Sequence, residues 1–137
     1  MNTATDIFTI FDEDDNFRVI MRRLLEASFL ESFNGIMITS AEPGYPILYV
    51  NPAFCNLTGY GPQELIGNSP DILQGEATDP GVLKELKDQI SKGEVFHGQA
   101  INYRKDGSMF LMDWKIVPIC SSGDDISHYL AIQQKVS

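Results

Sequence analysis

The sequence predicts an α+β domain: a five-stranded antiparallel sheet with short helices on one face and a helical extension in front. Three observations predict it. Two short β-branched and apolar runs, Gly35 to Thr39 and Ile47 to Val50, flank the turn "SAEPGYP" with its Pro43 and Gly44. Three further runs of strand character fill the end of the chain. Between the two groups lie short segments opened by proline and closed by glycine, the punctuation of brief helices. An antiparallel sheet needs cover on only one face, so helices gathered between its strands are the economical arrangement.

From Thr5 to about Ser32 the apolar residues, among them Phe8, Phe11, Phe17, Ile20, Met21, Leu24, Leu25 and Phe29, recur mostly at spacings of three and four. The acidic cluster Asp12 to Asp15 interrupts them, so two short helices or one kinked helix is expected. The stripe is wide for a solvated helix and needs a partner, either its own domain or a second copy. After the 35–50 hairpin, Asn51 is placed to cap a helix beginning at Pro52 and ending at Gly59. "GPQELIG" repeats the pattern from Pro62 to Gly67. Asp79 and Pro80 open a longer helix, with Val82, Leu83, Leu86 and Ile90 on its buried side and Gly93 closing it. The last strands are expected at Phe96 to Arg104, Met109 to Ile119 and Ile126 to Lys135, joined by the "KDG" turn and the loop "SSGDD".

A chain of 137 residues with 43% hydrophobic residues supports a single core. Its formal net charge of -9, with the ten Lys and Arg dispersed, argues against nucleic acid or an anionic membrane as partner. No run of about 18 apolar residues occurs, and the N-terminus is acidic where a secretory signal is basic. With only Cys55 and Cys120, neither a disulfide framework nor a zinc pattern is present, and a soluble, cytoplasmic protein is expected. His97 and His128 stand alone without sequence-near ligands. No nucleophile elbow, phosphate loop or catalytic carboxylate pair is found, so the chain does not read as an enzyme.

The stretches "YVNPAFCNLTGY", "ELIGN", "LQGEATDP" and "NYRKDGSMF", in this order and spacing, resemble the PAS domain family and its LOV (light, oxygen, voltage) flavin photoreceptor branch. The resemblance runs from about Gly35 to Ser137 and implies a PAS sensor domain at 35–137, leaving the helical extension at 1–34 uncovered. It implies the PAS fold, a five-stranded antiparallel sheet whose covering helices enclose a small cavity. By position it places flavin-facing polar groups at Asn102, Gln133 and Gln74, with Thr58 lining the pocket. Neutral amides suit a ring edge that alternates acceptors and an N–H. The alternative for Asn102 and Gln133 is a closed core in which they bond each other, backbone or water.

Four positions depart from the LOV pattern. Pro70 stands where that branch carries the cysteine that attacks the excited flavin, which excludes adduct chemistry at this position. Asp71 replaces the arginine that meets the ribityl phosphate, and Lys87 falls at the other phosphate position as a partial replacement. Met112 and Ser69 each replace an asparagine. Trp114 shares a sheet face with Met112 and reads as core filler, with stacking beside a ring as the alternative. Cys55 reads as a small buried hydrophobe. Neither histidine lies on the helix from Pro80 to Lys92, where haem-binding PAS domains carry their ligand.

Two functions are compatible with these residues. One is a sensor of light or redox state through noncovalent FMN or FAD. The other is a PAS module with no cofactor or with a small metabolite, acting through dimerisation and protein–protein signalling. Both expect a homodimer through the N-terminal helix and the sheet, and an effector domain or partner protein. The end at "QQKVS" suits either a complete short protein or a piece cut before its effector.

Overall fold

The computed structural model describes residues 17–136. Its elements are α1 (Phe17–Leu30), β1 (Gly35–Ser40), β2 (Ile47–Val50), α2 (Pro52–Thr58), α3 (Pro62–Leu65), α4 (Pro80–Ser91), β3 (Phe96–Tyr103), β4 (Met109–Ser122) and β5 (Asp125–Lys135), with a 3-10 turn at Pro70–Leu73. The five strands form one sheet in the order β2-β1-β5-β4-β3, every neighbouring pair antiparallel. The chain divides into two compact units between Glu31 and Ser32. Within the first, α1 is one continuous helix that buries none of its residues. The expected segment Thr5 to Asn16 lies outside the described residues.

Local chemistry sets the helix boundaries. Asn51, fully buried, accepts at Oδ1 from the Phe54 N–H (3.0 Å), which caps α2. The same oxygen accepts from the Ile36 N–H (2.7 Å), and Nδ2 donates to the Asn34 carbonyl (3.1 Å). One side chain thereby joins the start of β1 to the start of α2. Asp79 caps α4 through the Gly81 N–H (2.8 Å), and Gly93, at φ 76°, takes the left-handed conformation that ends it.

The sheet alternates with period two. Along β5, Tyr129, Ala131 and Gln133 are buried, while Leu130 and Ile132 on the other face remain partly exposed. Along β4, Phe110, Met112, Trp114 and Ile116 are buried likewise. α2 packs against β1 and α4 against β3, and Phe54, Leu65, Leu73 and Ile90 meet the buried sheet face in one core.

Two details differ from the sequence expectation. The Pro70–Leu73 turn was not foreseen; its start is fixed by Ser69, whose Oγ accepts from the Asp71 N–H (3.2 Å). The hairpin between β4 and β5 is also longer than the apolar pattern, since Cys120 pairs with Ile126 and Ser122 with Asp125 beyond a register irregularity. Backbone pairing needs no apolar side chain, so exposed strand ends leave no hydrophobic signature.

Candidate ligand cavity

The buried sheet face, the 3-10 turn and α4 leave a cavity of about 100 Å³ between them. On this measure one water needs about 10–15 Å³, so the space equals roughly seven to ten waters, or about 200–300 Å³ of ligand. That suits a ring system of two or three fused rings and excludes a whole dinucleotide.

Each strand contributes by its alternation. Asn102 from β3, Met112, Trp114 and Ile116 from β4, and Tyr129, Ala131 and Gln133 from β5 line the sheet side. Trp114 lies directly across the ladder from Gln133 and across from Gly98 on the other flank. Phe96 folds over Gly98 and meets the indole at 5.5 Å between centroids. The tryptophan is therefore both packed wall and cavity surface. α4 supplies Leu83, Leu86 and Ile90, the i, i+3, i+7 stripe read from the sequence, together with Lys87. The 3-10 turn supplies Pro70, Asp71 and Leu73, followed by Gln74.

The Gln74 segment is pinned to β3. Thr78 Oγ1 donates to the Ile101 carbonyl (2.7 Å) and accepts from the Gly75 N–H (3.0 Å). The Tyr103 hydroxyl oxygen accepts from the Ala77 N–H (2.8 Å). Gly75 lies against the Tyr103 ring so closely that an added Cβ would come within 2.7 Å of Cδ1.

Two polar side chains stand out in a mostly apolar wall. Gln133 is 1% exposed, and its Oε1 has no hydrogen-bond partner among the described residues. Asn102 is 4% exposed and its Nδ2 reaches only the Ala100 carbonyl, at a long 3.4 Å. Buried acceptors are almost always satisfied, and leaving one unpaired costs about 1–3 kcal/mol. The two amides are not bonded to each other, and both line the cavity. A flat ring with an N–H and carbonyl oxygens along its edge meets this requirement, so the residues fit a flavin ring.

The sequence-derived residues Asn102, Gln133, Gln74, Met112, Lys87 and Trp114 come together here; Thr58 does not. Thr58 is fully buried at the end of α2, where its hydroxyl donates to the Phe54 carbonyl (3.0 Å), a helix-internal bond. Cys55 and Cys120 are also absent from the lining, so no thiol faces the cavity. Burial raises the Cys55 thiol above its ordinary pKa. Sequence reading missed Tyr45 and Tyr129, whose rings meet edge to face at 5.8 Å in the wall. Burial, then the neighbouring Tyr45, raises the Tyr129 phenol. Counting back by two and four from Gln133 would have found Ala131 and Tyr129; Tyr45, held at φ 50° in the hairpin turn, carries no such signal.

The opposite face of the sheet holds a separate polar group. Asp113 accepts from His97 (2.9 Å), Gln99 (3.4 Å) and Gln134 (3.5 Å). Partial burial by itself raises the Asp113 carboxyl, but hydrogen bonds from His97, Gln134 and Gln99 outweigh it and lower its pKa.

Comparison with known proteins places this geometry. A PAS domain profile matches residues 34–137. The chain is 35% identical over 102 residues to the nitrogen fixation regulatory protein of Klebsiella oxytoca, covering 74% of this chain and 20% of that one. It is 37% identical over 117 residues to the bacterioopsin transcriptional activator of Halobacterium salinarum, covering 85% and 17% respectively. It thus spans about a fifth of the curated relatives it matches. A solved light-oxygen-voltage domain studied with a flavin analogue superposes with TM-score 0.75 at 31% identity, covering 87% of this chain and 85% of that one.

Proposed function

Because the chain belongs to the PAS domain family, with light-oxygen-voltage domains among its structural neighbours, we propose that it is a sensor holding a flavin ring noncovalently in the cavity. The carrying observation is the unpartnered Gln133 Oε1, buried and facing that space beside Asn102. When bound, a flavin supplies blue-light absorption and a change of ring protonation on reduction. The protein supplies the edge contacts and the exclusion of water. Pro70 lines the wall without a nucleophile and neither cysteine joins it, which supports the noncovalent mode.

Gln133 is suited to report a change at that edge. Its amide presents either an acceptor or an N–H donor, and Oε1 gives up no protein partner when the group turns over. Gln133 pairs across the ladder with Gly35 at the start of β1 and with Trp114 in β4. A turn of its amide is therefore felt at the centre of the sheet, which makes two sheet states with different surfaces the natural output. The role is regulatory, without catalysis, in the service of an effector domain or partner protein.

The second part of the proposal is a homodimer. α1 buries no residue and leaves Ile20, Leu24 and Leu25 exposed at 36%, 38% and 57%, within one apolar face that a second copy would cover. Sedimentation should show a dimer that Leu24→Glu with Leu25→Glu converts to monomer; a dimer unaffected by both changes refutes this role for α1.

An absorption spectrum of freshly purified protein, and of protein mixed with flavin and desalted, tests the sensor reading. A structured blue band that co-elutes with the protein supports it. Colourless protein after reconstitution refutes it and leaves the cofactor-free signalling module.

A further inference from the structure

The mouth of the cavity carries information about which flavin it takes. A space of about 100 Å³ accommodates the ring system and not its substituent chain, so the chain must leave where the lining residues are exposed. Those residues are Asp71 and Lys87, the only charged side chains in the lining among the described residues. We propose that this mouth selects a flavin with an uncharged tail, so that riboflavin binds more tightly than its phosphate ester FMN; the inference rests on the flavin reading above.

The two charges are not held alike. Asp71 sits in the 3-10 turn, anchored on both sides: its N–H donates to Ser69 Oγ (3.2 Å) and its carbonyl accepts from the Gln74 N–H (3.0 Å). Its carboxylate starts from a fixed backbone at the mouth. Lys87 projects from an exposed position on α4 through a flexible four-carbon stem. A phosphate ester carries about -1.5 to -2 charge at pH 7. It would meet a positioned anion and a mobile cation, in a protein whose own net charge is -9. The hydroxyls of an uncharged polyol tail suit both groups, since a carboxylate accepts from them and an ammonium donates to them. FAD, with its anionic pyrophosphate, falls on the disfavoured side with FMN.

The test is a titration of the folded protein with riboflavin and with FMN, followed by quenching of flavin fluorescence. Riboflavin is expected to bind about fivefold to tenfold more tightly at low salt, the size of one screened charge contact. The gap should narrow at about 0.5 M salt, where surface charges are largely screened. Asp71→Asn should close it by tightening FMN while riboflavin changes little, since asparagine still meets the hydroxyls, and Lys87→Met should widen it by weakening FMN more than riboflavin. Circular dichroism confirms that both variants are folded. FMN binding as tightly as riboflavin to the unaltered protein overturns the selectivity and leaves the flavin reading standing. An equal effect of Asp71→Asn on both ligands overturns the role of Asp71. Binding of neither flavin overturns both the selectivity and the flavin reading.

Discussion

Replacing Gln133 by leucine separates stability from binding in opposite directions. The wild-type side chain is 1% exposed and its Oε1 has no protein partner among the described residues; without a ligand only cavity water can meet it, and fixing that water costs up to about 2 kcal/mol. Leucine has similar reach and no polar atom, and its neighbours Met112, Trp114 and Ala131 are apolar. Gln133→Leu should therefore raise the unfolding free energy by about 1–2 kcal/mol, after allowance for imperfect repacking. For a domain near 100 residues that is a rise in Tm of about 4–8 °C or more. With riboflavin added the order should reverse. A ligand at about 100 times its dissociation constant stabilises the wild type by roughly 2.7 kcal/mol, and the variant, lacking the edge contact, gains much less. Urea denaturation of both proteins, with and without riboflavin, reads the four values. A variant less stable than wild type by more than about 1 kcal/mol without flavin would refute the reasoning, because Gln133 would then be a satisfied structural residue.

Three further outcomes are expected. Gly75→Ala places a methyl within 2.8 Å of Tyr103 Cζ, so the ring must move and release the Ala77 N–H; a loss of about 1–3 kcal/mol by thermal denaturation is expected. Asn51→Ala removes the α2 cap and leaves the buried Ile36 N–H without its acceptor, a combined cost of about 2–4 kcal/mol in urea unfolding. Asp113→Asn tests the outer face of the sheet. The Asp113 carboxyl is held below its ordinary pKa by bonds from His97, Gln134 and Gln99 that outweigh its burial. Its contribution to stability is then complete above the unfolded value of about 3.9 and drains away as pH falls through the lower folded value. The variant should lose about 0.5–1 kcal/mol at neutral pH, and the difference should vanish progressively below about pH 4; a gap that persists unchanged at about pH 2 contradicts the assignment.

Much of the fold was legible because its signals are local. The Asn51–Pro52 and Asp79–Pro80 pairs announced helix starts, since a side-chain acceptor and a ring that has no N–H solve the same problem at adjacent positions. Period-two alternation told that Met112 and Trp114 share a face, and the i, i+3, i+7 spacing of Leu83, Leu86 and Ile90 marked the side of α4 that the cavity uses. The Pro70–Leu73 turn was missed because a single 3-10 turn has too few residues for a period. Thr58 is not among the residues that line this cavity; residue type does not reveal which way a helix-terminal hydroxyl turns, and here it turns to the Phe54 carbonyl.

By itself the sequence determined the order of strands and helices, the face that Met112 and Trp114 share and the absence of a thiol at position 70, all consequences of residue type and short-range spacing. Only the tertiary structure decided that Gln133 keeps an unmatched acceptor, that Asn102 does not meet it, and that Asp71 and Lys87 share one opening. Those facts depend on distances between residues far apart in the chain, which are set when the sheet closes against α4 and the 3-10 turn, and no local pattern encodes them.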